Sequence, residues 1–407
     1  MNASRVLWLS ALLILSLSIS LPSATRPAAG RHPPPPPPPP TGIMSLATIT
    51  VGNAPVSIQY ADSNQEVYVA NTGDGTLSVI SSATDKVITT IDTSCNLYYP
   101  YQIEYNPANQ EIYEPCTGGS VNGVLWNLVA VSTSTNTVAA RVYSGSGGPG
   151  LGLVYAGSNN DIYYLSCCQG VGSTQYDIVT AVSSANHVVK SVQVGYNCHY
   201  LVYDDKSQDV YAGCEGDGNV YVISTATNSI VTKIYIGGRD YYMVYAPSSN
   251  EIFILQQGPF AVDVISGAAN SLLTTVSLPG STNYTDGIGY DPANQEVYVG
   301  TSYYNSKGGN SYQILAISTV SNSIAATIQA IELPYYMVYD ESNQDMYMSH
   351  EYSNQVIIVS STTNQIIASV TTSLPQYNEY DPANAQVYVV NDVGTSSSPG
   401  TVTAISS

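Results

Sequence analysis

Two glutamates and one glutamine occupy a position that is apolar in the other copies of a repeated motif. Gln59, Glu104 and Glu379 each stand directly before a recurring tyrosine. Carboxylates that meet in a partly desolvated place either raise each other's pKa or hold a cation, and oxygen-only ligands favour Ca²⁺. We therefore expect an acidic patch at these three residues, with Ca²⁺ at Glu104 and Glu379 as a hypothesis. The alternative is the hydrated wall of a channel. The other five copies carry Val154, Val202, Val244, Gly289 and Val338.

The chain contains 35 tyrosines, many of them in clusters. A tyrosine side chain is a rigid contact surface with an apolar ring and a polar hydroxyl group, which suits the binding of a glycan or a partner protein. The alternative is that these rings pack between structural units with their hydroxyl groups at the rim. The residues expected on a ligand-binding face are Tyr99, Tyr101, Tyr200, Tyr242, Tyr304, Tyr336, Tyr377, His199 and His350.

Sequence motifs of common enzymes are missing. The chain has no GxSxG, HExxH, phosphate-binding P-loop or calcium-loop pattern, so no catalytic residue and no cofactor is predicted. Whether the protein is an enzyme stays open, with a non-catalytic protein favoured.

Eight copies of a motif typified by YDPANQEVYV at 290–299 organise the chain. Their spacing of 41–50 residues matches a unit of about four strands. Asp/Asn-Pro-Ala-Asn is turn chemistry, because proline presets φ and asparagine tolerates the left-handed region. Each copy therefore predicts a strand, a tight turn and a strand with an aromatic residue eight positions after the leading tyrosine. The leading tyrosines are Tyr60, Tyr105, Tyr155, Tyr203, Tyr245, Tyr290, Tyr339 and Tyr380.

Two more strands complete each unit. A short apolar run ending in serine, such as VIS at 264–266, is followed by a polar turn and an alternating run such as SIVTKIYI at 229–236. The sequence therefore predicts an all-β fold, an eight-bladed β-propeller of four-stranded antiparallel blades. The last unit supplies only three strands, so residues 44–51 are expected to pair with 400–406 and close the ring.

The segment VYVANTGDGTLSVISSATDKVITTI at 67–91 resembles the YVTN-repeat β-propellers of microbial surface-layer and exported proteins. The similarity extends over roughly residues 44–407. It implies a propeller located outside the cell or at its surface, and it implies no particular activity, because one propeller scaffold serves many tasks.

Six cysteines in an exported chain indicate disulfides. In the repeat register Cys116 and Cys214 lie at the upper end of a second strand, while Cys95 and Cys198 precede the first strand of the same two units. The two ends are neighbours in an antiparallel hairpin, so we predict the pairs Cys95–Cys116 and Cys198–Cys214. The adjacent Cys167 and Cys168 are left as a vicinal disulfide or two free thiols, with a cysteine-bound metal as a weaker alternative.

The N-terminal region predicts export. Residues 1–24 contain a 16-residue apolar run at 6–21, expected to be a signal peptide, with an uncleaved membrane anchor as the alternative. Residues 25–43 form a linker with eight consecutive prolines at 33–40, expected to be a stiff polyproline spacer. The propeller is assigned to 44–407.

The charge of the chain limits its partners. The net charge is −19, and because all 29 acidic residues follow residue 43 while three arginines precede it, the propeller carries 7 − 29 = −22. Such a surface repels nucleic acids and anionic lipid headgroups.

The favoured function is an exported, non-catalytic propeller that binds a protein or glycan at the cell surface or serves as an envelope scaffold, with self-association as a further option. The alternative is a propeller enzyme or redox protein, similar to lactonases, lyases or quinone-dependent dehydrogenases. The similarity to quinone-dependent dehydrogenases is weak, because those proteins hold their blades together with repeated tryptophan motifs and this propeller contains only Trp126.

Overall fold

The computed structural model describes residues 46–95, 102–121, 124–143, 148–169, 175–280, 282–304, 309–391 and 398–406, without the side chains of 117–121, 124–126, 148–151, 168–169 and 239–241. Within these ranges the chain is all β. No helix among them has the length and apolar character needed to cross a membrane.

Eight four-stranded antiparallel sheets form the predicted eight blades over the described residues. Blade 1 consists of β2 (Pro55–Ala61), β3 (Glu66–Asn71), β4 (Thr76–Ser81) and β5 (Lys86–Asp92). Blade 2 consists of β6 (Glu104–Asn106), β7 (Glu111–Val121), β8 (Val124–Ser132) and β9 (Thr137–Val142). Blade 3 consists of β10 (Gly148–Ala156), β11 (Asp161–Gln169), β12 (Tyr176–Val182) and β13 (Val188–Gln193). Blade 4 consists of β14 (Cys198–Asp204), β15 (Asp209–Cys214), β16 (Asn219–Ser224) and β17 (Ser229–Tyr235).

The second half of the ring repeats this order. Blade 5 consists of β18 (Arg239–Ala246), β19 (Glu251–Gln257), β20 (Ala261–Ser266) and β21 (Ser271–Ser277). Blade 6 consists of β22 (Thr282–Asp291), β23 (Glu296–Tyr304), β24 (Asn310–Ser318) and β25 (Ser323–Ala330). Blade 7 consists of β26 (Tyr336–Asp340), β27 (Asp345–His350), β28 (Gln355–Ser360) and β29 (Gln365–Thr371). Blade 8 consists of β30 (Pro375–Asp381), β31 (Gln386–Asn391), β32 (Pro399–Ser406) and β1 (Leu46–Asn53).

Strand β1 closes the ring as predicted. It pairs antiparallel with β32, from Leu46 opposite Ile405 to Thr50 opposite Thr401. Blade 8 thus takes three strands from one end of the propeller sequence and one from the other. This arrangement gives β32 a partner on its otherwise exposed edge.

The first strand of each blade is the innermost one. First strands of neighbouring blades contact each other extensively, whereas the fourth strands, at the rim, make few contacts with other blades. The core lies between the blades, where the aromatic residue of each second strand is fully buried. Burying a side chain of that size favours folding by about 1.5–3 kcal/mol.

Hydrogen bonds from the hydroxyl groups of these buried tyrosines join neighbouring blades, and we call each such bond a latch. Tyr68 donates to Asn136 in the β8–β9 turn of the next blade, and Tyr113 donates to Asn186 in the β12–β13 turn. The turn asparagine also binds the carboxylate two residues before the tyrosine, as Asn136 does with Glu66 at 2.9 Å. The same tyrosine–asparagine bond is found from Tyr163, Tyr211 and Tyr298 to Asn228, Asn270 and Asn364.

The turn between the first two strands differs from the sequence-based interpretation in one detail. The left-handed residue is the one after the motif asparagine, such as Gln65 (φ 57°) and Gln295 (φ 56°). The asparagine itself has a different role: the Asn64 side chain donates to Tyr68 and to the carbonyl of Thr133 in the next blade. Its side-chain amide is needed for this contact between blades.

Both predicted disulfides are present. Cys95 is bonded to Cys116, with Cα atoms 5.1 Å apart, and Cys198 is bonded to Cys214, with Cα atoms 3.8 Å apart. Cys198 and Cys214 lie opposite each other in the β14–β15 ladder. Cys167 is half-buried on β11, and the side chain of Cys168 lies outside the described residues, so the vicinal pair stays a prediction. Two disulfides indicate an oxidising compartment.

Candidate functional site

The candidate site is the end of the channel where the first strands begin. Three residues before each leading tyrosine, the first strands of blades 4, 5, 7 and 8 carry Tyr200, Tyr242, Tyr336 and Tyr377, all half-buried. The register of the first hairpin shifts directly before Tyr200 and Tyr242, and Tyr377 lies within the shift between Pro375 and Asn378. Bulges of this kind turn side chains away from the regular alternation and are common beside functional sites.

Four of the predicted tyrosines are thereby brought together. The rings of Tyr200 and Tyr242 are 5.0 Å apart between centroids. The rings of Tyr336 and Tyr377 stack at 3.6 Å with an interplanar angle of 28°. Tyr336 also lies within electrostatic range of Tyr200. We call these four residues the tyrosine mouth.

Blade 6 contributes a carboxylate to the tyrosine mouth in place of a ring. Asp286 is 3% exposed and accepts hydrogen bonds from the Tyr242 hydroxyl and from the amide of Gly287 at 2.9 Å. Burial raises the pKa of Asp286 to about 6, although both hydrogen bonds oppose the rise. Burial also raises the pKa of Tyr242, so its hydroxyl group remains a donor at neutral pH. Sequence reasoning missed Asp286, because its position depends on the register shift between Asp286 and Ile288.

The three polar residues of the predicted acidic patch lie deeper along the same strands. The Gln59 amide donates to Oε1 of Glu379 at 2.9 Å, and the same oxygen accepts the amide N–H of Tyr60 at 3.2 Å. Glu104 accepts the amide N–H of Tyr155 at 3.2 Å. Each glutamate therefore binds a backbone N–H on the inner strand of the following blade, where no further strand can pair with it.

Burial shifts the pKa of both glutamates in the same direction. Burial raises the pKa of Glu104 to about 7. Burial raises the pKa of Glu379 to about 8, the Tyr60 hydrogen bond opposes the rise, and the charge of Glu104 adds to it. Both raised pKa values arise mainly from burial, and Ca²⁺ at Glu104 and Glu379 stays a hypothesis. No cluster of three or more metal-ligating side chains occurs in the part of the chain that the structure describes.

The other residues predicted for the ligand-binding face are not part of the tyrosine mouth. His199 is partly buried, with Nε2 3.8 Å from the Glu215 carboxylate, and burial lowers its pKa. His350 is fully buried, which corrects its expected position on the surface of this face. Its position in the repeat matches that of Cys116, which is likewise buried. Tyr99 and Tyr101 lie outside the described residues.

A cavity opens beside the tyrosine mouth, between blades 6 and 7. It has a volume of about 400 Å³, and Tyr304 from the predicted face lies at its edge. Tyr335 lines the cavity, while the next residue, Tyr336, belongs to the tyrosine mouth. Tyr284, Tyr312 and Tyr352 also line it. Sequence reasoning overlooked these three, because each occupies a different position in its repeat unit.

One further buried group went unnoticed in the sequence. Glu114 on β7 is fully buried, and within the described residues neither of its oxygens has a hydrogen-bond partner. The Thr93 hydroxyl beside it already donates to the carbonyl of Gly75 at 2.9 Å. Burial raises the pKa of Glu114 to about 8. The other copies carry residues such as Val69, Ile254 and Val299 here, so a register comparison would have revealed it.

Comparisons with known proteins identify the fold. No protein-family model and no curated protein matches the sequence. Among solved structures, the chain is similar to hydrazine synthase from Kuenenia stuttgartiensis, with a TM-score of 0.56 and 14% identity over 88% of this chain and 97% of that chain. It is also similar to the dihydro-heme d1 dehydrogenase NirN in complex with DHE, with a TM-score of 0.61 and 10% identity over 88% of this chain and 79% of that chain. At these identities the similarity shows the propeller fold alone.

Proposed function

We propose that this chain is an exported, non-catalytic propeller that binds a protein or glycan at the cell surface or in an envelope layer. The observation that carries the proposal is the convergence of Tyr200, Tyr242, Tyr336 and Tyr377, from four different blades, on one end of the channel. These rings are already ordered by mutual contact, so binding a ligand there costs little side-chain entropy.

Export is supported by the two disulfides and by the sequence before the propeller. The proposed organisation is a signal peptide or anchor at 1–24, a proline-rich linker at 25–43 and the propeller at 44–407. The resemblance to YVTN-repeat propellers belongs to the same proposal. With a net charge of −19, the chain is a poor partner for nucleic acids and anionic membranes.

The test measures binding of the purified propeller to glycan arrays and to envelope fragments of the producing cells. We expect saturable binding that a Tyr336→Ala, Tyr377→Ala double variant weakens about tenfold or more, which corresponds to the loss of about 1.4 kcal/mol. Tyr235→Ala is the matched control, because Tyr235 lies on the rim strand β17 and is 72% exposed. A thermal melt of each variant excludes unfolding as the cause. Equal binding by all three proteins, or no binding by the wild type, would refute the proposal.

A second candidate function is a propeller enzyme. Glu104 and Glu379, with pKa values raised to about 7 and 8, suit proton transfer near neutral pH. The two similar structures are, by their names, a synthase and a dehydrogenase. Turnover of a lactone or an oxidisable substrate that Glu104→Gln abolishes, or a quinone absorbance in the purified protein, would favour this alternative.

A further inference from the structure

We propose that the cavity between blades 6 and 7 binds the ring of a neutral sugar. This inference rests on the proposed function and names the ligand class for one part of the tyrosine-rich face. A volume of about 400 Å³ lies within the range of small-molecule sites.

One wall of the cavity is an extension of blade 6. Strands β23 and β24 contain nine residues each, whereas the corresponding strands of blade 7 contain six. At about 3.3 Å per residue, the hairpin rises roughly 10 Å above its neighbour. Across this extension Tyr284 pairs with Ser302, which pairs with Tyr312, and Tyr304 pairs with Asn310. Because residues two apart in a strand share a face, aromatic and polar groups alternate on one surface.

The opposite wall belongs to blade 7. The rings of Tyr335 and Tyr352 meet edge to face with centroids 5.9 Å apart. Tyr352 and Tyr304 are 70% and 68% exposed. Large aromatic rings that remain this exposed beside a cavity are available for contact with a ligand.

The polar groups of the cavity are suited to hydroxyl groups. Ser302 donates to the Asn283 side chain at 2.6 Å, and the Asn283 amide approaches Asn310 at 3.5 Å. Amide and hydroxyl groups both donate and accept hydrogen bonds, as sugar hydroxyls do. The C–H faces of a sugar ring are apolar and stack on aromatic rings, so one ligand satisfies both kinds of surface.

The charge of the cavity argues against an ionic ligand. Among its described lining residues Glu332 is the one carboxylate, and it is 9% exposed. Its two oxygens accept the backbone N–H groups of Tyr352 at 3.1 Å and Ser353 at 2.6 Å. The carboxylate therefore holds the blade 7 turn in place and is not directed at a ligand cation. An anion would be repelled by the acidic chain.

The test is isothermal titration of the wild-type chain with three probes of different charge: the neutral N-acetylglucosamine, the anionic glucuronic acid and the cationic choline. We expect N-acetylglucosamine or, in a parallel titration, a neutral hexose to bind, and Tyr304→Ala and Tyr352→Ala each to weaken binding about tenfold. Tyr304→Phe should retain binding, because the stacking surface is unchanged. Tyr235→Ala is again the control. Preferential binding of choline or glucuronic acid would overturn the assignment, as would neutral-sugar binding unaffected by both alanine variants.

The outcome is separable from that of the proposed function. If the propeller binds envelope fragments through the tyrosine mouth while no neutral sugar binds the cavity, only the present inference fails. If the cavity binds sugar and the tyrosine-mouth double variant leaves envelope binding unchanged, the proposed role of that mouth fails and the sugar site stands.

Discussion

The hydroxyl group of Tyr388 in blade 8 donates a hydrogen bond of 2.7 Å to the carboxylate of Asp85 in blade 1. Asp85 holds the turn position that is asparagine in most other blades, and it has the same left-handed backbone (φ 51°). The tyrosine hydrogen bond that joins neighbouring blades is therefore also present at the junction of the ring, between blades 8 and 1. The junction is held by this bond as well as by the pairing of β1 with β32.

We predict that Tyr388→Phe lowers the free energy of unfolding by about 1 kcal/mol, because the hydrogen bond between blades 8 and 1 is lost. The ring itself fits, since blade 5 carries Phe253 at the equivalent buried position. Asp85→Asn, which restores the common turn residue, is the matched control and should leave stability nearly unchanged. Urea denaturation measures both. A Tyr388→Phe variant as stable as the wild type would show that the latch does not stabilise the junction.

Deletion of residues 44–52 should expose the edge of β32 and cause aggregation, because an unpaired strand edge recruits other chains. Light scattering after size-exclusion chromatography measures the effect. A synthetic peptide with the sequence of β1 should restore the monomer when added during refolding. A deletion variant that remains monomeric and melts like the wild type would contradict this account of closure.

Removal of either disulfide should lower stability by about 3 kcal/mol. The Cys198–Cys214 and Cys95–Cys116 bonds span sequence separations of 16 and 21 residues, and loops of that size constrain the unfolded chain by this amount. Cys198→Ser with Cys214→Ser, and the corresponding pair at 95 and 116, are compared with the wild type by thermal unfolding. Non-reducing peptide mapping provides the independent check, and a linkage from Cys116 to Cys167 or Cys168 would refute the first pair.

Stability should decrease as pH rises from about 5 to 9. Glu114 has a folded-state pKa of about 8, above the ordinary value of about 4.3 for the unfolded chain. The folded state thus binds more protons in this window, so the stabilisation is complete below about pH 4 and is lost as the pH passes 8. Between pH 5 and 9 the loss for Glu114 is on the order of 4 kcal/mol. Glu104, Glu379 and Asp286 shift in the same direction.

Glu114→Gln is the variant that isolates this effect. It should flatten the dependence of the unfolding free energy on pH and be more stable than the wild type at pH 9. Glu341→Gln, at an exposed position, is the control. A wild type whose stability is constant or rises between pH 5 and 9 would show that Glu114 ionises normally.

The fold could be predicted from the sequence because each blade repeats the same requirements. The number of blades follows from eight copies of a turn motif, each with an aromatic residue eight positions after its leading tyrosine. Closure by the N-terminal strand follows from the last unit, which lacks a fourth strand. Strand order follows from short connections between antiparallel neighbours. The two disulfides followed from the same register, since Cys198 and Cys214 occupy the upper ends of one hairpin.

The candidate site was predictable only in part. Tyr200, Tyr242, Tyr336 and Tyr377 share one repeat position, so their convergence follows from the symmetry of the ring. The cavity residues Tyr304 and Tyr352 line one cavity because one hairpin is three residues longer than its neighbour. The spacing of 49 residues from Tyr290 to Tyr339 indicates a long unit, but it does not show which strands are extended. Asp286 was hidden for a related reason, since a bulge decides which way its side chain points.

The pairing of Leu46 with Ile405 has a consequence for synthesis of the protein. The partners are separated by 405 − 46 = 359 residues. A ribosome that adds 5–20 residues per second completes β32 roughly 20–70 s after β1. Throughout that interval β1 has no native partner, and blades 1 to 7 can form before it does. Closure therefore cannot precede synthesis of β32, and a chaperone that shields strand edges is expected to raise the yield by protecting β1 during that interval.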